Sequence, residues 1–126
     1  MLAAGVIASL VAPSISSARG GGPAERNLGE RAFQKCYACH TLDESNVALQ
    51  GPALNDIVGR AVAAEPDFSY SPAILSYAQR QPRWTREALD AFLADPQGVV
   101  PDNDMGFFGI SDEAERTALI NYLATR

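Results

Sequence analysis

Basic side chains are scarce in this sequence. The 126 residues include ten Lys and Arg against fifteen Asp and Glu, which gives a formal net charge of −5, and Lys35 is the one lysine. Because nucleic-acid binding depends on clustered Lys and Arg, this balance argues against a nucleic-acid partner. With 47% apolar and 20% charged residues, the composition is that of a folded chain, and its length suits a single domain.

Long hydrophobic runs are also missing. The apolar stretch at 2–12 is shorter than the about 20 residues that a membrane-spanning helix needs, so no stable span is expected. Ser16 and Ala18 follow it in the positions of a secretory cleavage site, although no Lys or Arg precedes the run. We therefore expect a signal-like or N-terminal apolar segment at 1–18, a flexible spacer at 19–24 and the folded domain at 25–126.

No internal repeat is present, and no alternating pattern demands a strand. Helical spacing of apolar residues predicts one helix at about 24–37, a second that begins after Thr85 and stops before Pro96, and a third capped by Ser111. A shorter helix is expected after Ser71, with a proline at its first position.

Long stretches at 41–70 and 96–110 lack a regular pattern. Loops of that length are unusual in a small domain unless something else organises them, and three or four helices make a thin core. These features predict an all-α domain in which a large apolar cofactor supplies part of the interior.

Cysteine and histidine are rare, and they occur together. Cys36-Tyr37-Ala38-Cys39-His40 is a C-x-x-C-H sequence, the attachment signature of c-type haem. Two thiols at this spacing can each form a thioether with a haem vinyl group, and the adjacent imidazole can bind the iron. The motif predicts one haem c, covalently attached through Cys36 and Cys39, with His40 as a metal ligand.

Three other interpretations of the motif have weaker support. A thioredoxin-type redox pair begins a helix within a βαβ unit, whereas this motif lies at the end of a predicted helix and the sequence shows no βαβ pattern. A closed zinc site needs about four ligands, so a carboxylate would have to join the two thiols and the imidazole. A disulfide across two intervening residues contributes little loop-closure entropy.

Met105 is the one methionine besides Met1. A lone methionine is often a core filler, but this residue lies in a polar, turn-rich loop and not on a helical stripe. A thioether is a soft ligand that can occupy the second axial position of haem iron. Since Met105 follows His40 by about 65 residues, the chain is long enough to reach the opposite face of the haem.

An ordered set of motifs over roughly residues 25–125 resembles the class I c-type cytochromes, the small mitochondrial and bacterial cytochromes c. The set comprises Gly29, Phe33, the C-x-x-C-H motif, Gly51-Pro52-Ala53-Leu54, Gly59-Arg60, Phe68-Ser69-Tyr70-Ser71, Trp84, Leu93-Ala94-Asp95-Pro96, Pro101-Asp102-Asn103-Asp104-Met105-Gly106-Phe107, and Leu119-Ile120-Asn121-Tyr122-Leu123. The resemblance implies the cytochrome c fold.

The resemblance also implies roles for individual residues. Gly29 would allow the first and last helices to cross closely, and the carbonyl of Pro52 would accept a hydrogen bond from His40. Met105 would be the second axial ligand. The cofactor-binding residues would further include Phe107 and three donors to a buried haem propionate, namely Arg60, Tyr70 and Trp84.

By function, the resemblance implies a monohaem one-electron carrier between redox partner proteins, and we expect a monomer and not an enzyme. The signal-like segment at 1–18 predicts an exported, periplasmic compartment. The mitochondrial intermembrane space is the weaker location. One alternative is the haem c subunit of a periplasmic dehydrogenase complex. Another is a ligand sensor or peroxidase, which would need an open sixth position on the iron.

Some positions depart from the family pattern. Phe92, Ile74 and Asn103 replace a tyrosine, an asparagine and a threonine, which predicts a reduced polar network on the methionine side. Asp104 stands where the family commonly has lysine. Because surface charge governs encounter rates, we expect poor electron transfer to a mitochondrial-type cytochrome oxidase.

Overall fold

The computed structural model describes residues 11–12, 21–43 and 48–126, and the predicted signal-like segment falls outside these ranges except for Val11 and Ala12. The described chain contains five helices: α1 (Pro23–Phe33), α2 (Pro72–Arg80), α3 (Arg86–Ala94), α4 (Pro96–Val99) and α5 (Glu113–Leu123). These ranges contain no extended strand, and one isolated antiparallel bridge joins Ala61 and Arg83. None of these helices has the length and apolar character needed to cross a membrane.

Side-chain caps determine where most helices begin. The Ser71 hydroxyl accepts a hydrogen bond from the N–H of Ile74 at the start of α2, and the Thr85 hydroxyl does the same for Ala88 in α3, as predicted. The predicted cap of α5 was wrong by one residue. The carboxylate of Asp112, and not Ser111, accepts the N–H of Glu115, at 2.9 Å.

Two further boundaries differ from the sequence prediction. α1 begins at Pro23, within the predicted spacer, and ends at Phe33, after which residues 34–39 form turns. The fifth helix, α4, adds one element to the three or four predicted. Pro96 ends α3 but also occupies the first position of α4, where its missing N–H costs nothing and Asp95 caps the new turn.

α1 and α5 cross at very close range. A Cβ atom on Gly29 would lie 2.3 Å from the carbonyl oxygen of Ala118, so glycine is needed at this position. Beside the crossing, the rings of Phe33 and Tyr122 have centroids 5.9 Å apart, and Leu119 is fully buried. This helix pair forms one side of the core.

The loop after α4 is tied to α3 and α5. Ile110 donates its N–H to the carbonyl of Leu93 at 2.8 Å, and Arg116 donates to the carbonyl of Ile110 and to Asp90. Gly109 has a φ of +100°, which favours glycine. These contacts fix the end of the segment that carries Met105.

The long loop before α2 is tied to the start of α3. Gly59 donates its N–H to the carbonyl of Trp84 at 2.7 Å, and Trp84 returns a bond of 2.8 Å to the carbonyl of Arg60. This pairing holds Arg60 next to Trp84 and lets an irregular segment form a wall of the interior.

Candidate cofactor site

A cavity of about 310 Å³ opens between the helices and the two long loops. Its volume falls within the range of small-molecule and cofactor pockets. All the predicted site residues line it: Cys36, Cys39, His40, Pro52, Arg60, Tyr70, Trp84, Met105 and Phe107. Much of the remaining wall is apolar, with Leu54, Ile57, Ile74, Leu89, Phe92 and Leu93. The site therefore combines an apolar interior with a few chemically specific side chains.

His40 is held in one orientation by its surroundings. Its Nδ1 lies 2.7 Å from the carbonyl oxygen of Pro52, so Nδ1–H donates there and Nε2 keeps a free lone pair. Burial lowers the pKa of His40 and favours the neutral imidazole that a metal requires. A Cβ on Gly51 would lie 2.3 Å from Cε1 of the ring, so glycine makes room for it.

The two cysteines lie on the turns that follow α1. Cys39 and His40 both donate their N–H groups to the carbonyl of Cys36 at 3.0 Å, which brings the motif together in space. Both thiols are free. Burial raises the pKa of Cys36 to about 11, partly opposed by the charge of Lys35.

This environment disfavours two of the alternative interpretations. A redox-active pair requires a lowered thiol pKa, whereas that of Cys36 is raised. In the described ranges no three His, Cys, Asp or Glu side chains gather as a metal cluster, so no carboxylate completes a zinc site there.

The loop that carries Met105 is organised by Asn103. The buried amide of Asn103 donates to the carbonyls of Pro96 and Val100 at 3.1 and 2.8 Å, and its oxygen accepts the N–H of Met105 at 2.9 Å. The side chain of Met105 is partly buried and packs against the core. Asn103 thus holds the segment that presents the thioether to the cavity.

A polar cluster occupies another part of the wall. Arg60 donates to the carbonyls of Ala53 and Asn55 and forms an ion pair of 3.1 Å with Glu65. The hydroxyl oxygen of Tyr70 accepts the N–H of Glu65 at 3.0 Å, and burial raises the pKa of the phenol, which stays protonated at neutral pH. This cluster offers positive charge and O–H and N–H donors to an anionic group.

Sequence reasoning missed two members of this cluster and one neighbour of the histidine. Glu65 and Asn55 lie in a loop without periodic pattern, and nothing in the sequence pairs Glu65 with Arg60. Gly51 was recognised as part of a motif, but its contact with His40 depends on how the loop folds back over the ring.

The residues present fit a large, flat iron cofactor that carries carboxylates. The cavity supplies two thiols for covalent attachment, an imidazole and a thioether as iron ligands, apolar walls, and an arginine for a carboxylate. Arg60 also leaves its buried Nε without a partner in the described residues, as expected of a donor that serves a bound group. Fold and site together define a helical haem-binding domain.

Comparison with known proteins identifies the family. A family model described as Cytochrome c matches residues 27–126. Cytochrome c2 of Agrobacterium tumefaciens is 40% identical over 95 residues, covering 75% of this chain and 86% of that protein. Cytochrome c-type cyt cy of Rhodobacter capsulatus is 41% identical over 102 residues, covering 80% of this chain and 49% of that protein. The structure of cytochrome cH from Methylobacterium extorquens matches with a TM-score of 0.71 at 32% identity, covering 80% of this chain and 98% of that chain.

The chain belongs to the cytochrome c family and is a class I c-type cytochrome. The predicted all-α cytochrome c fold is confirmed, with five helices in the described residues. Membership also confirms the predicted cofactor, one covalent haem c, and Cys36 and Cys39 form the matching attachment motif. The family is one of electron carriers.

Proposed function

We propose that this protein is a monohaem one-electron carrier that works between redox partner proteins in an exported, periplasmic compartment. In this proposal Cys36 and Cys39 would attach the haem, and His40 and Met105 would bind its iron. The observation that carries the proposal is that one cavity receives the C-x-x-C-H motif from the turns after α1 and Met105 from a loop about 65 residues later.

When bound, the haem iron supplies reversible one-electron chemistry. The chain contributes a fixed ligand orientation, because the carbonyl of Pro52 fixes the His40 tautomer and Asn103 holds the Met105 loop. Phe107 and the apolar walls limit access of water. Arg60, Tyr70 and Trp84 provide donors for a propionate, which would otherwise be a costly buried charge.

The location rests on two observations. The apolar segment and small-residue site at 1–18 are typical of export signals. Similar proteins include bacterial cytochromes c2. Mass spectrometry of the protein from a periplasmic fraction should find a chain that begins after Ala18, and a full-length chain in the cytoplasmic fraction would contradict the location.

The central test is visible spectroscopy of the full chain matured with a haem-attachment system. Haem should stay with the polypeptide through acid–acetone extraction. The oxidised protein should show the weak red sulfur-to-iron band. Met105→Ala should abolish that band, because the methionine sulfur that binds the iron is lost. The haem should stay attached, because its covalent bonds to Cys36 and Cys39 are unchanged.

The matched control is Phe108→Ala in the same loop. Phe108 is 99% exposed, so its removal should leave the red band in place. Colourless protein, or haem that dissolves in the organic phase, would overturn the proposal. A band that survives in Met105→Ala would disprove the assignment of the second axial ligand.

A further inference from the structure

The guanidinium of Arg60 keeps unused hydrogen-bond donors although its side chain is largely buried. A guanidinium carries five N–H donors, and three are engaged here, by the carbonyls of Ala53 and Asn55 and by the carboxylate of Glu65. The Nε atom is buried without a partner in the described residues, and Arg60 lines the cavity. Its unused donors are therefore available to a group inside the cavity.

Glu65 acts on two of the cavity donors at once. Its carboxylate pairs with Arg60, and its backbone N–H donates to the hydroxyl oxygen of Tyr70. Because that oxygen already accepts this bond, the phenolic hydrogen stays free for another acceptor. Glu65 does not line the cavity, so it acts through its two neighbours.

Glu65 also places a negative charge close behind the cavity wall. Its side chain is 12% exposed and that of Arg60 is 16% exposed, so water screens this pair less than a surface pair. The other charged residues that line the cavity are Lys35, which is paired with Glu115, and the exposed Asp104. Arg60 in the wall and Glu65 behind it thus form the sheltered charged pair on this side of the cavity.

We propose that Glu65 is a positioning residue that lowers the midpoint potential of the haem iron. It orients Arg60 and Tyr70 toward a haem carboxylate. Because the positive charge of Arg60 is then paired both with Glu65 and with that carboxylate, the group of three carries a net negative charge. The excess negative charge favours the oxidised iron, which carries one more positive charge than the reduced iron. This inference rests on the proposed function.

The test compares midpoint potentials of the matured full chain by spectroelectrochemical titration at pH 7. Glu65→Gln should raise the potential, because the amide keeps the shape of the side chain and loses its charge. Glu65→Asp should raise it less, because a shorter carboxylate keeps the charge but moves away from Arg60. The control Glu30→Gln removes the same charge from the exposed face of α1 and should leave the potential near that of the wild type.

Each outcome has a distinct meaning. A potential in Glu65→Gln that is unchanged or lower, with covalent haem and the red band intact, would overturn the role of Glu65. If Glu65→Gln does not acquire covalent haem, the midpoint potential of Glu65→Asp tests the inference instead. A potential equal to or below that of the wild type would then contradict it. Loss of covalent haem from the wild-type chain would instead refute the proposed function.

Discussion

At the residue scale, Asn103 shows how a single side chain can organise an irregular loop. It is 8% exposed and makes three side-chain hydrogen bonds to backbone groups of the segment between α3 and Met105. Where the resemblance implies a threonine, this chain has an amide that is committed to its own loop. The reduced polar network predicted around the methionine stays a prediction.

Asn103→Ala should destabilise the loop, because two carbonyls and one N–H would lose their buried partner. We expect a loss of roughly 2–4 kcal/mol in the free energy of unfolding, measured by denaturant titration. Met105 should become a labile ligand, so carbon monoxide should bind the reduced protein faster than it binds the wild type.

The control for this variant is Gln97→Ala, which removes one hydrogen bond to the carbonyl of Asn103 from an exposed residue. It should change both measurements much less. If Asn103→Ala matches the wild type in stability and in carbon monoxide binding, the loop does not depend on the amide.

At the scale of elements, the crossing of α1 and α5 depends on the absence of a side chain at Gly29. The backbone of Ala118 and the Cβ of Tyr122 lie where a Cβ on Gly29 would stand, at 2.3 and 2.8 Å. Since neither is the free end of a flexible side chain, the helices would have to move apart. The turns that carry the C-x-x-C-H motif begin directly after α1, so this crossing also positions the haem attachment site.

Gly29→Ala should therefore lower stability in spite of the better helix propensity of alanine. Overpacking costs about 1–3 kcal/mol, whereas replacing glycine within a helix gains about 1 kcal/mol at most. Thermal unfolding of the haem-loaded protein measures the difference. Asn27→Ala on the exposed face of α1 is the control and should be neutral or slightly stabilising, and equal melting temperatures for the two variants would contradict the close crossing.

At the scale of the whole molecule, the distribution of charge predicts which partners the protein disfavours. The chain has a net charge of −5, and its one lysine is engaged by Glu115. Asp104 lies exposed at the lining of the cavity beside Met105. The segment from Asp95 to Glu115 contains acidic residues and no basic one. Such a surface repels a partner with an acidic docking face.

Oxidation of the reduced protein by a mitochondrial-type oxidase should accordingly be slow at low salt and faster as salt screens the repulsion. Asp104→Lys should raise the low-salt rate several-fold, because it reverses a charge next to the proposed iron ligand. Glu87→Lys makes the same reversal at an exposed residue that does not line the cavity, and it should have a smaller effect. Near-normal turnover of the wild type at low salt would refute the prediction.

Local chemistry in the sequence was enough to predict much of the fold and of the candidate site. Ser71, Thr85 and the periodic apolar residues of α1, α3 and α5 signal helices, because caps and amphipathic stripes depend on residues a few positions apart. The C-x-x-C-H motif specifies its cofactor for the same reason. α4 was missed because proline is compatible both with the end of one helix and with the start of the next.

The sequence by itself determined the helical class, the covalent haem and the residue types available to bind it, because each of these depends on neighbours along the chain. Only the tertiary structure decided that Glu65 pairs with Arg60, that Gly51 lies against His40 and that Asn103 holds the loop of Met105. Those contacts form within irregular stretches that have no periodic pattern, so no residue spacing specifies them and they depend on how the long loops fold.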